Sequence, residues 1–330
     1  MKTILVCSAG GVIGSSICTI LKKIDNDIVV LGADMHCHTG ISQYADKQVL
    51  LPSCSSPNYI DKLRCVVVEH DVSALVECNE TGIDTLMPYM KEPFLDIPVL
   101  GVFNNIYEML SDKLSCYNKM SSLGIPHVET YEMVPGSAQL QEFILKYKTV
   151  VIKRRRGSGS KSVFIIRDIN ELPPFVYGQS KHYVIQPYIG SANQEFTVSL
   201  STICKPYEDI QFKRILQNGT TVFAETVKLD ELSNISFQLS KLCNSPYVLN
   251  YQVRQTDSRE FFIFEINPRF SSTVLARDIL GFQDFRQWYN YVLYNVTSSA
   301  GSWSPGNFVS KIDGYKYLKP NFISLILDYA

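Results

Sequence analysis

Hydrophobic and polar positions follow one pattern in the first third of the chain and another in the rest. In about the first hundred residues, short β-rich runs alternate with segments of helical spacing. Strands are predicted at residues 3–7, 28–31, 74–76 and 99–102, with one helix ending near Lys23 and another at residues 63–70. Strands that alternate with helices in this way are typical of a parallel α/β sheet.

The pattern changes after residue 106. A helix is predicted at residues 107–123, because Gly124 and Pro126 follow it and such residues commonly end helices. Beyond this helix the strand-like runs form hairpin-like pairs, which indicates an α+β region. These runs lie at residues 150–153, 163–166, 183–186, 195–202, 211–216, 221–226, 247–255 and 261–266.

The last predicted strand carries an acid and an amide two residues apart. Glu265 and Asn267 therefore share one face, at a Cα spacing of about 6.6 Å. Pro268 cannot donate a ladder hydrogen bond, so we expect the strand to end there and Arg269 to enter a cleft. Two oxygen ligands beside a guanidinium suit a Mg²⁺-nucleotide with a phosphorylated intermediate next to it.

Gln252 supplies a further oxygen if the last two strands pair as a hairpin. With a two-residue turn at Asp257 and Ser258, Gln252 lies opposite Ile263 and diagonal to Glu265, on the same face. A one-residue slip would move Gln252 to the other face and weaken the case for a metal site.

A strand, a Gly/Ser loop and a second strand lie between residues 150 and 166. Gly157 and Gly159 would allow backbone N–H groups to approach phosphate oxygens closely. Lys153, at the end of the first strand, can contact the phosphates as a point charge. The alternative is that the four basic residues at 153–156 form a solvated face.

The strand at residues 183–186 stops at Pro187, which would expose backbone groups to an adenine edge. Glu195, shortly beyond it, could contact ribose hydroxyls. A plain connection between two strands, with a surface carboxylate, explains the same residues.

Composition indicates an ordinary water-soluble protein. The 330 residues suggest two or three domains, and the formal net charge of −1 gives no global field that would attract nucleic acid or anionic lipid. The nine scattered cysteines are typical of reduced thiols. No signal peptide of the usual length and no run long enough to cross a membrane is found, so we expect a cytoplasmic protein.

Two further patterns are weaker. Gly10, Gly11 and Gly14, with Asp34 beyond them, approach a dinucleotide fingerprint, but Ala9 replaces its first glycine, so a structural turn or a substrate surface is favoured over NAD binding. The histidines of residues 36–38 lack an evident third metal ligand, which favours a polar loop. Residues 79–81 fit either a substrate cleft or a helix cap.

Taken in order, the motifs from about Asp112 to Gly281 resemble those of the ATP-grasp superfamily. The likeness is greatest to the branch of the carbamoyl phosphate synthetase large subunit and the ligase of pyrrolysine biosynthesis. The resemblance implies an α/β Rossmann-like (pre-ATP-grasp) domain at residues 1–106. An α+β ATP-grasp fold would follow, with a lid at residues 107–184 and a C-terminal antiparallel-sheet domain at residues 185–330 that holds the metal.

The resemblance also implies roles for individual residues. Arg269, Lys153 and Arg214 would act in catalysis, with Arg269 stabilising the transferred phosphoryl group. Gln252, Glu265 and Asn267 would hold Mg²⁺ or Mn²⁺. ATP would be contacted by Lys113, Lys153, Gly157, Ser158, Gly159, Ser160, Gln186, Tyr188, Ile189 and Glu195. Gln186 stands where the family commonly has glutamate, which should change hydrogen bonding there without abolishing it.

The implied activity is an ATP-dependent carboxylate–amine ligase that forms an amide through an acyl phosphate and releases ADP and phosphate. Its partners would be a small-molecule carboxylate and an amine, without nucleic acid or membrane, and a homodimer stays open. A non-catalytic nucleotide-binding module is the main alternative, and an NAD-dependent oxidoreductase is a weaker one. The identity of the acid and the amine cannot be read from the sequence.

Overall fold

The computed structural model describes residues 2–24, 27–37, 40–90, 96–101, 104–157, 163–217 and 219–311, with main chain alone at 104 and 105. Over these residues the chain forms three sheets, of five, four and six strands. No helix among the described residues is both long enough and apolar enough to span a membrane.

The N-terminal sheet is parallel, as predicted. Its strands are β1 (Lys2–Cys7), β2 (Ile28–Asp34), β3 (Lys47–Leu50), β4 (Val72–Glu77) and β5 (Val99–Leu100), in the order β3-β2-β1-β4-β5. The helices are α1 (Val12–Ile24), α2 (Tyr59–Glu69) and α3 (Glu80–Leu86). Both faces of β1 are buried, since Ile4 packs on the α1 side and Leu5 on the α2 side. The strand order reverses between β1 and β4, where sheets of this kind bind ligands.

The predicted single helix at residues 107–123 is wrong. The structure has two helices, α4 (Asn104–Leu110) and α5 (Lys113–Ser122). Asp112 lies between them in an extended conformation, and its carboxylate accepts the N–H groups of Leu114 and Ser115. This N-cap satisfies donors at the start of a new helix, and the chain therefore turns where the hydrophobic pattern alone runs on.

The second sheet has four antiparallel strands. They are β6 (Tyr131–Glu132), β7 (Val150–Arg154), β8 (Val163–Ile166) and β9 (Tyr183–Pro187), in the order β6-β9-β7-β8. Helices α6 (Ala138–Tyr147) and α7 (Pro174–Gly178) belong to this unit. Its core is separate from the others, with Ile152, Ile185 and Val176 among its members.

The third sheet has six antiparallel strands and forms most of the C-terminal part. They are β10 (Glu195–Ser201), β11 (Glu208–Gln217), β12 (Thr220–Val227), β13 (Val248–Gln255), β14 (Phe261–Asn267) and β15 (Phe308–Ser310), in the order β14-β13-β10-β11-β12-β15. The helices are α8 (Asp230–Leu239), α9 (Val274–Ile279) and α10 (Asp284–Tyr294). The parallel sheet followed by antiparallel sheets confirms the predicted fold class, whereas the three domain limits stay a proposal.

The predicted register of the β13–β14 hairpin is wrong, although the face assigned to Gln252 is right. The loop has three residues between Thr256 and Glu260, not two, and its last residue, Arg259, has a φ of 66°. A β-bulge at Phe264 then shifts the register by one more residue. Gln252 therefore pairs with Glu265 and not with Ile263. The two shifts total two residues, and because side chains alternate with a period of two, Gln252 keeps its face.

Candidate active site

The three predicted metal ligands lie together at the end of the β13–β14 hairpin. Gln252 and Glu265 are direct cross-strand partners, and Asn267 follows on the same face of β14, which ends before Pro268 as predicted. The Gln252 Oε1 accepts a hydrogen bond from Arg214 Nη2 (2.8 Å), and Asn267 Oδ1 accepts one from Arg269 Nη2 (3.3 Å). No described residue donates a hydrogen bond to the Glu265 carboxylate, which leaves its oxygens available to a ligand.

Four cations surround Glu265. Burial raises the pKa of its carboxyl group, but the charges of Lys113, Lys153, Arg269 and Arg214 outweigh burial and hold the pKa below its usual value. Arg269 also pairs with Glu80, and Arg214 also pairs with Glu195, so the charges of Lys113 and Lys153 are the ones that exceed the single charge of Glu265. The cluster therefore has an excess of positive charge, which favours a multiply charged anion.

Lys153 lies on β7 and faces this cluster. Its side chain is 6% exposed, and Nζ donates a hydrogen bond to the Phe264 main-chain oxygen (2.9 Å). The bulge leaves Phe264 without a partner on β13, so its carbonyl can accept from another sheet. Burial lowers the pKa of Lys153 to about 7, with further lowering by Lys113 and Arg254 and an opposing effect of Glu265. A phosphate nearby would favour the protonated form.

Lys113 joins the start of α5 to the base of the predicted phosphate loop. Its Nζ donates to the Gly157 main-chain oxygen (2.9 Å), and its main-chain N–H donates to the Arg155 oxygen (2.9 Å). Arg155 also pairs with the Asp112 cap (3.0 Å). Gly157 has a φ of 103°, which favours glycine. The other predicted loop residues, Ser158, Gly159 and Ser160, lie outside the described residues.

The predicted adenine hinge begins in the last two residues of β9 and continues to Ile189. The Gln186 side chain is buried and donates through Nε2 to Thr130 Oγ1 (2.8 Å), so it faces protein and not the cleft. The Tyr188 N–H donates to the Thr149 oxygen (3.0 Å). The Ile189 N–H has no acceptor among the described residues. Of the main-chain groups predicted to bind adenine, the N–H of Ile189 is thus better placed than that of Tyr188.

Glu195 is held by two arginines. Its Oε1 accepts from Arg214 Nη2 (2.6 Å) and its Oε2 from Arg254 Nη2 (2.9 Å), and its side chain is 3% exposed. Arg214 bridges Glu195 to Gln252, which connects the predicted ribose contact to the predicted metal ligands. The ribose role of Glu195 stays a prediction. Sequence reasoning missed Arg254, although alternation along β13 places it on the same face as Gln252.

Arg269 reaches the N-terminal sheet. Its Nε (3.0 Å) and Nη2 (2.6 Å) both donate to Glu80 Oε1, and its Nη1 donates to the Phe270 main-chain oxygen (2.9 Å). Arg269 is 8% exposed. Glu80 opens α3, and sequence reasoning considered it only as part of residues 79–81. The ion pair fixes the guanidinium at the boundary between the N-terminal and C-terminal parts.

Asn79 and Asp34, two residues near strand ends of the N-terminal sheet, make contacts that indicate structural roles. Asn79 caps α3, since its Oδ1 accepts the Thr81 N–H (2.8 Å). Asp34 Oδ2 accepts the Gly10 N–H (3.0 Å), so the acid that a dinucleotide site would direct at a ribose is used within the protein. His36 and Cys37 contribute to no cluster of three or more His, Cys, Asp or Glu side chains among the described residues.

A second buried glutamate, Glu77, ends β4. Its carboxylate accepts from Ser8 Oγ (3.2 Å), Tyr59 Oη (2.8 Å) and the Asn79 N–H (2.9 Å). Burial raises the pKa of Glu77, and these hydrogen bonds lower it only in part. Sequence reasoning did not single out Glu77, because its hydrogen-bond donors come from three different segments.

Comparison with known protein families covers the four-stranded sheet and the strands β10, β11 and β12 of the six-stranded sheet. Residues 110–235 match the family model described as an ATP-grasp domain. No curated protein matches the sequence.

Several solved structures have a similar fold. Carboxyaminoimidazole ribonucleotide synthase from Aspergillus clavatus, complexed with ATP, has a TM-score of 0.71 at 11% identity, over 93% of this chain and 80% of that chain. N5-carboxyaminoimidazole synthetase from Staphylococcus aureus, complexed with ADP, has a TM-score of 0.67 at 14% identity, over 94% and 80%. The biotin carboxylase domain of the Hydrogenobacter thermophilus 2-oxoglutarate carboxylase has a TM-score of 0.66 at 12% identity, over 90% and 70%. At these identities the likeness is one of fold.

Proposed function

The chain contains an ATP-grasp domain, as its motifs predicted, and on this premise we propose that it is an ATP-dependent carboxylate–amine ligase. The observation that carries the proposal is the group of four cations around Glu265, at the end of a hairpin that also presents Gln252 and Asn267. A triphosphate with a divalent cation matches both parts of this site, because the phosphates need cations and the metal needs oxygen ligands.

The nucleotide would lie between the four-stranded and six-stranded sheets. Lys113 and Lys153 would contact its phosphates beneath the loop that begins at Gly157. Adenine would contact the main chain at the end of β9 and just beyond it, between Gln186 and Ile189, chiefly at the Ile189 N–H, since the Gln186 side chain faces protein. Several similar structures are described as ATP or ADP complexes, which supports a nucleotide in this fold.

Mg²⁺ or Mn²⁺ would be held by Glu265, Asn267 and Gln252. These are hard oxygen ligands, and the Glu265 carboxylate receives no hydrogen bond from the described residues, so the donor set fits such an ion. When bound, the ion supplies charge neutralisation at the ATP phosphates. Gln252 and Asn267 accept hydrogen bonds from Arg214 and Arg269, which fixes the orientation of their side-chain oxygens.

The proposed reaction has two steps. A substrate carboxylate oxygen attacks the γ-phosphorus of ATP, the bond to the ADP oxygen breaks, and an acyl phosphate forms. The amine nitrogen then attacks the acyl carbon, phosphate leaves, and the nitrogen loses a proton. Arg269 would stabilise the phosphoryl group in both steps, and Arg214 would contact the phosphates or the substrate carboxylate. Glu80 holds Arg269 in place before the nucleotide arrives.

A non-catalytic nucleotide-binding module is the second candidate. It would need the lysines but not a guanidinium beside the proposed metal ligands, and Arg269 donates a hydrogen bond to Asn267 as well as pairing with Glu80. An NAD-dependent oxidoreductase is disfavoured because the Asp34 carboxylate, which would have to contact a ribose, accepts a hydrogen bond from the Gly10 N–H. Small-molecule substrates and a cytoplasmic location are part of the proposal.

The test is ATP turnover with a panel of carboxylic acids. Hydroxylamine replaces the amine, since it converts an acyl phosphate into a hydroxamate that can be detected directly. We expect ADP and hydroxamate to form together, in equal amounts, for at least one acid and only with Mg²⁺ or Mn²⁺. Tight ATP binding without hydroxamate from any acid of a broad panel would favour the non-catalytic module.

A further inference from the structure

Glu195 lies between two arginines of the six-stranded sheet, and these contacts use both of its oxygens. Oε1 accepts from Nε (3.1 Å) and Nη2 (2.6 Å) of Arg214, and Oε2 accepts from Nε (3.1 Å) and Nη2 (2.9 Å) of Arg254. An ionised carboxylate has about four lone-pair sites, and these four N–H groups fill them. A ribose hydroxyl could bind this carboxylate, which is 3% exposed, only by displacing an arginine and leaving its guanidinium unpaired.

Arg254 connects this carboxylate to the predicted adenine hinge. Its Nη1 donates to the Ile189 main-chain oxygen (3.5 Å), and its guanidinium carbon lies 4.8 Å from the centre of the Tyr188 ring. The same carbon lies 5.4 Å from the centre of the Phe264 ring, so Arg254 contacts the hinge, β10 and β14 together. Arg254 therefore holds the hinge against the six-stranded sheet at the residue whose N–H is best placed for adenine.

Gly190, directly after the hinge, shows how closely this segment approaches β13. Its φ is 55°, and a Cβ at this position would collide with the main-chain oxygen of Gln255. Only glycine combines this conformation with such a close approach of two main chains. Gln255 follows Arg254 on β13, so main-chain packing and the arginine contacts hold the same segment. The position of the hinge is thus set from the six-stranded sheet by two independent features.

The other arginine connects Glu195 to the proposed metal ligands. Arg214 Nη2, which donates to Glu195 Oε1, also donates to Gln252 Oε1 (2.8 Å). Glu195 therefore holds one arginine at the hinge and a second arginine at the proposed phosphate end. A nucleotide that lies between the two ends would be oriented at both by groups that this one carboxylate fixes.

From these contacts we propose that Glu195 and Arg254 are positioning residues, and that the site selects its nucleotide by base and phosphates and not by ribose hydroxyls. Glu195 acts through its two arginines, in place of the direct ribose contact that the sequence predicts. Arg254 keeps the Ile189 N–H directed at N1 of adenine, which is an acceptor. The inference rests on the proposed function only for the presence of a nucleotide in the cleft.

The first experiment is calorimetric titration of the full chain, in the presence of Mg²⁺, with ATP, 2′-deoxy-ATP, 3′-deoxy-ATP and ITP. We expect the Kd values of both deoxy analogues to lie within about threefold of that for ATP, because no hydrogen bond to Glu195 is lost. ITP should bind at least about tenfold more weakly, since N1 of hypoxanthine carries a hydrogen that would face the Ile189 N–H. A loss of more than about threefold for either deoxy analogue would overturn the inference.

The second experiment uses Arg254→Lys, which keeps the charge but loses the planar fork that reaches both Glu195 and the hinge. We expect the Kd for ATP to rise at least about tenfold and the preference for ATP over ITP to fall. The Kd for inorganic tripolyphosphate, which would contact only the phosphate end, should stay within about twofold. Equal losses for ATP and tripolyphosphate, or an unchanged preference for ATP over ITP, would overturn the positioning role of Arg254.

Arg286→Lys is the matched control. Arg286 donates through Nε (2.6 Å) and Nη2 (3.1 Å) to Asp278 and through Nη1 to the Lys23 main-chain oxygen (3.5 Å), the same types of contact that Arg254 makes. This variant should leave the Kd values of ATP and tripolyphosphate unchanged. Because these titrations need no turnover, the expected Kd pattern with no hydroxamate from any acid would support this inference and count against the ligase. Hydroxamate formation together with weak binding of the deoxy analogues would support the ligase and overturn this inference.

Discussion

Glu77 and Glu265 are two glutamates near strand ends whose surroundings shift their pKa values in opposite directions. Glu77, in the N-terminal sheet, is 4% exposed and receives hydrogen bonds from neutral groups only, and burial raises its pKa. Glu265, in the six-stranded sheet, stands among four cations that hold its pKa below the usual value. Both side chains are partly or fully withdrawn from water, so the difference comes from the neighbours.

This difference in surroundings distinguishes a structural carboxylate, Glu77, from a carboxylate in the candidate active site, Glu265. The Glu77 neighbours, Ser8 and Tyr59, tie three segments of the N-terminal sheet together and leave no charge to attract a ligand. The Glu265 neighbours exceed it in charge, and its own oxygens are not used by the described residues. A charge imbalance of this kind costs stability when no anion is bound, which indicates that the site is arranged for a ligand and not for the fold.

The largest effect should come from Arg269→Ala. This change removes the guanidinium that would stabilise the transferred phosphoryl group, and we expect kcat to fall about 10³-fold or more while ATP affinity changes little. Steady-state turnover and ATP titration measure the two quantities. Arg259→Ala, on the exposed loop of the same hairpin, is the control and should leave both unchanged. Equal losses in kcat and ATP affinity would assign Arg269 to ground-state binding.

The two glutamates should differ in their effect on turnover. Glu265→Gln removes a metal ligand, and we expect a loss of about 10²-fold or more in kcat, with a higher Mg²⁺ concentration needed for half-maximal rate. Glu77→Gln keeps the shape of a residue that lies outside the site and should leave kcat within about twofold of the parent chain. Comparable losses in both variants would remove the distinction drawn between them.

The same variants should change the pH dependence of stability with opposite signs. Glu77 has a raised pKa, so its contribution to stability is present below the usual value of 4.5 and is lost as the pH rises through its folded pKa. Glu265 has a lowered pKa, so its contribution is present above 4.5 and is lost as the pH falls through its folded pKa. For each glutamate, this contribution to the free energy of unfolding should change by at most about 1.4 kcal/mol per pH unit.

Urea unfolding at a series of pH values on either side of 4.5 measures these slopes. The difference in the free energy of unfolding between the parent chain and Glu77→Gln should decrease as the pH rises above 4.5. The difference in the free energy of unfolding between the parent chain and Glu265→Gln should decrease as the pH falls below 4.5. Slopes of the same sign would show that the two environments are not opposed.

The smallest effect concerns Lys153. Its pKa of about 7 means that the free side chain is largely deprotonated at higher pH, and a bound triphosphate should draw a proton back. We expect ATP binding above pH 7 to take up a fraction of a proton, seen as a dependence of the calorimetric enthalpy on buffer ionisation. Lys153→Arg should remove this uptake because arginine stays charged, whereas Lys113→Arg should preserve it. Uptake that persists in Lys153→Arg would place the titrating group elsewhere.

Local sequence patterns predicted the parts of the site that depend on one strand at a time. Alternation placed Glu265 and Asn267 on one face, and Pro268 marked the end of β14, because both effects act over two or three residues. The parallel sheet and the later antiparallel strands followed from similar patterns. These predictions needed no knowledge of which strands are neighbours.

Features set by distant parts of the chain were missed or misplaced. The Glu80–Arg269 pair joins residues 189 positions apart, and no local pattern connects them. The β13–β14 register failed because the extra loop residue and the bulge at Phe264 are both invisible to alternation. The Phe264 carbonyl accepts a hydrogen bond from Lys153 of another sheet, so the contact that the bulge permits can be identified only in the folded chain.

The central claim is that Gln252, Glu265 and Asn267 hold a divalent cation on a nucleotide. The most direct test is a crystal structure of the chain with Mn²⁺ and a non-hydrolysable ATP analogue, with the ion located by its anomalous scattering. We predict a Mn²⁺ peak at a bonding distance of about 2.0–2.3 Å from oxygens of Glu265 and Asn267, bridging the phosphates. A nucleotide bound with its metal away from all three side chains, or bound elsewhere on the chain, would contradict the account.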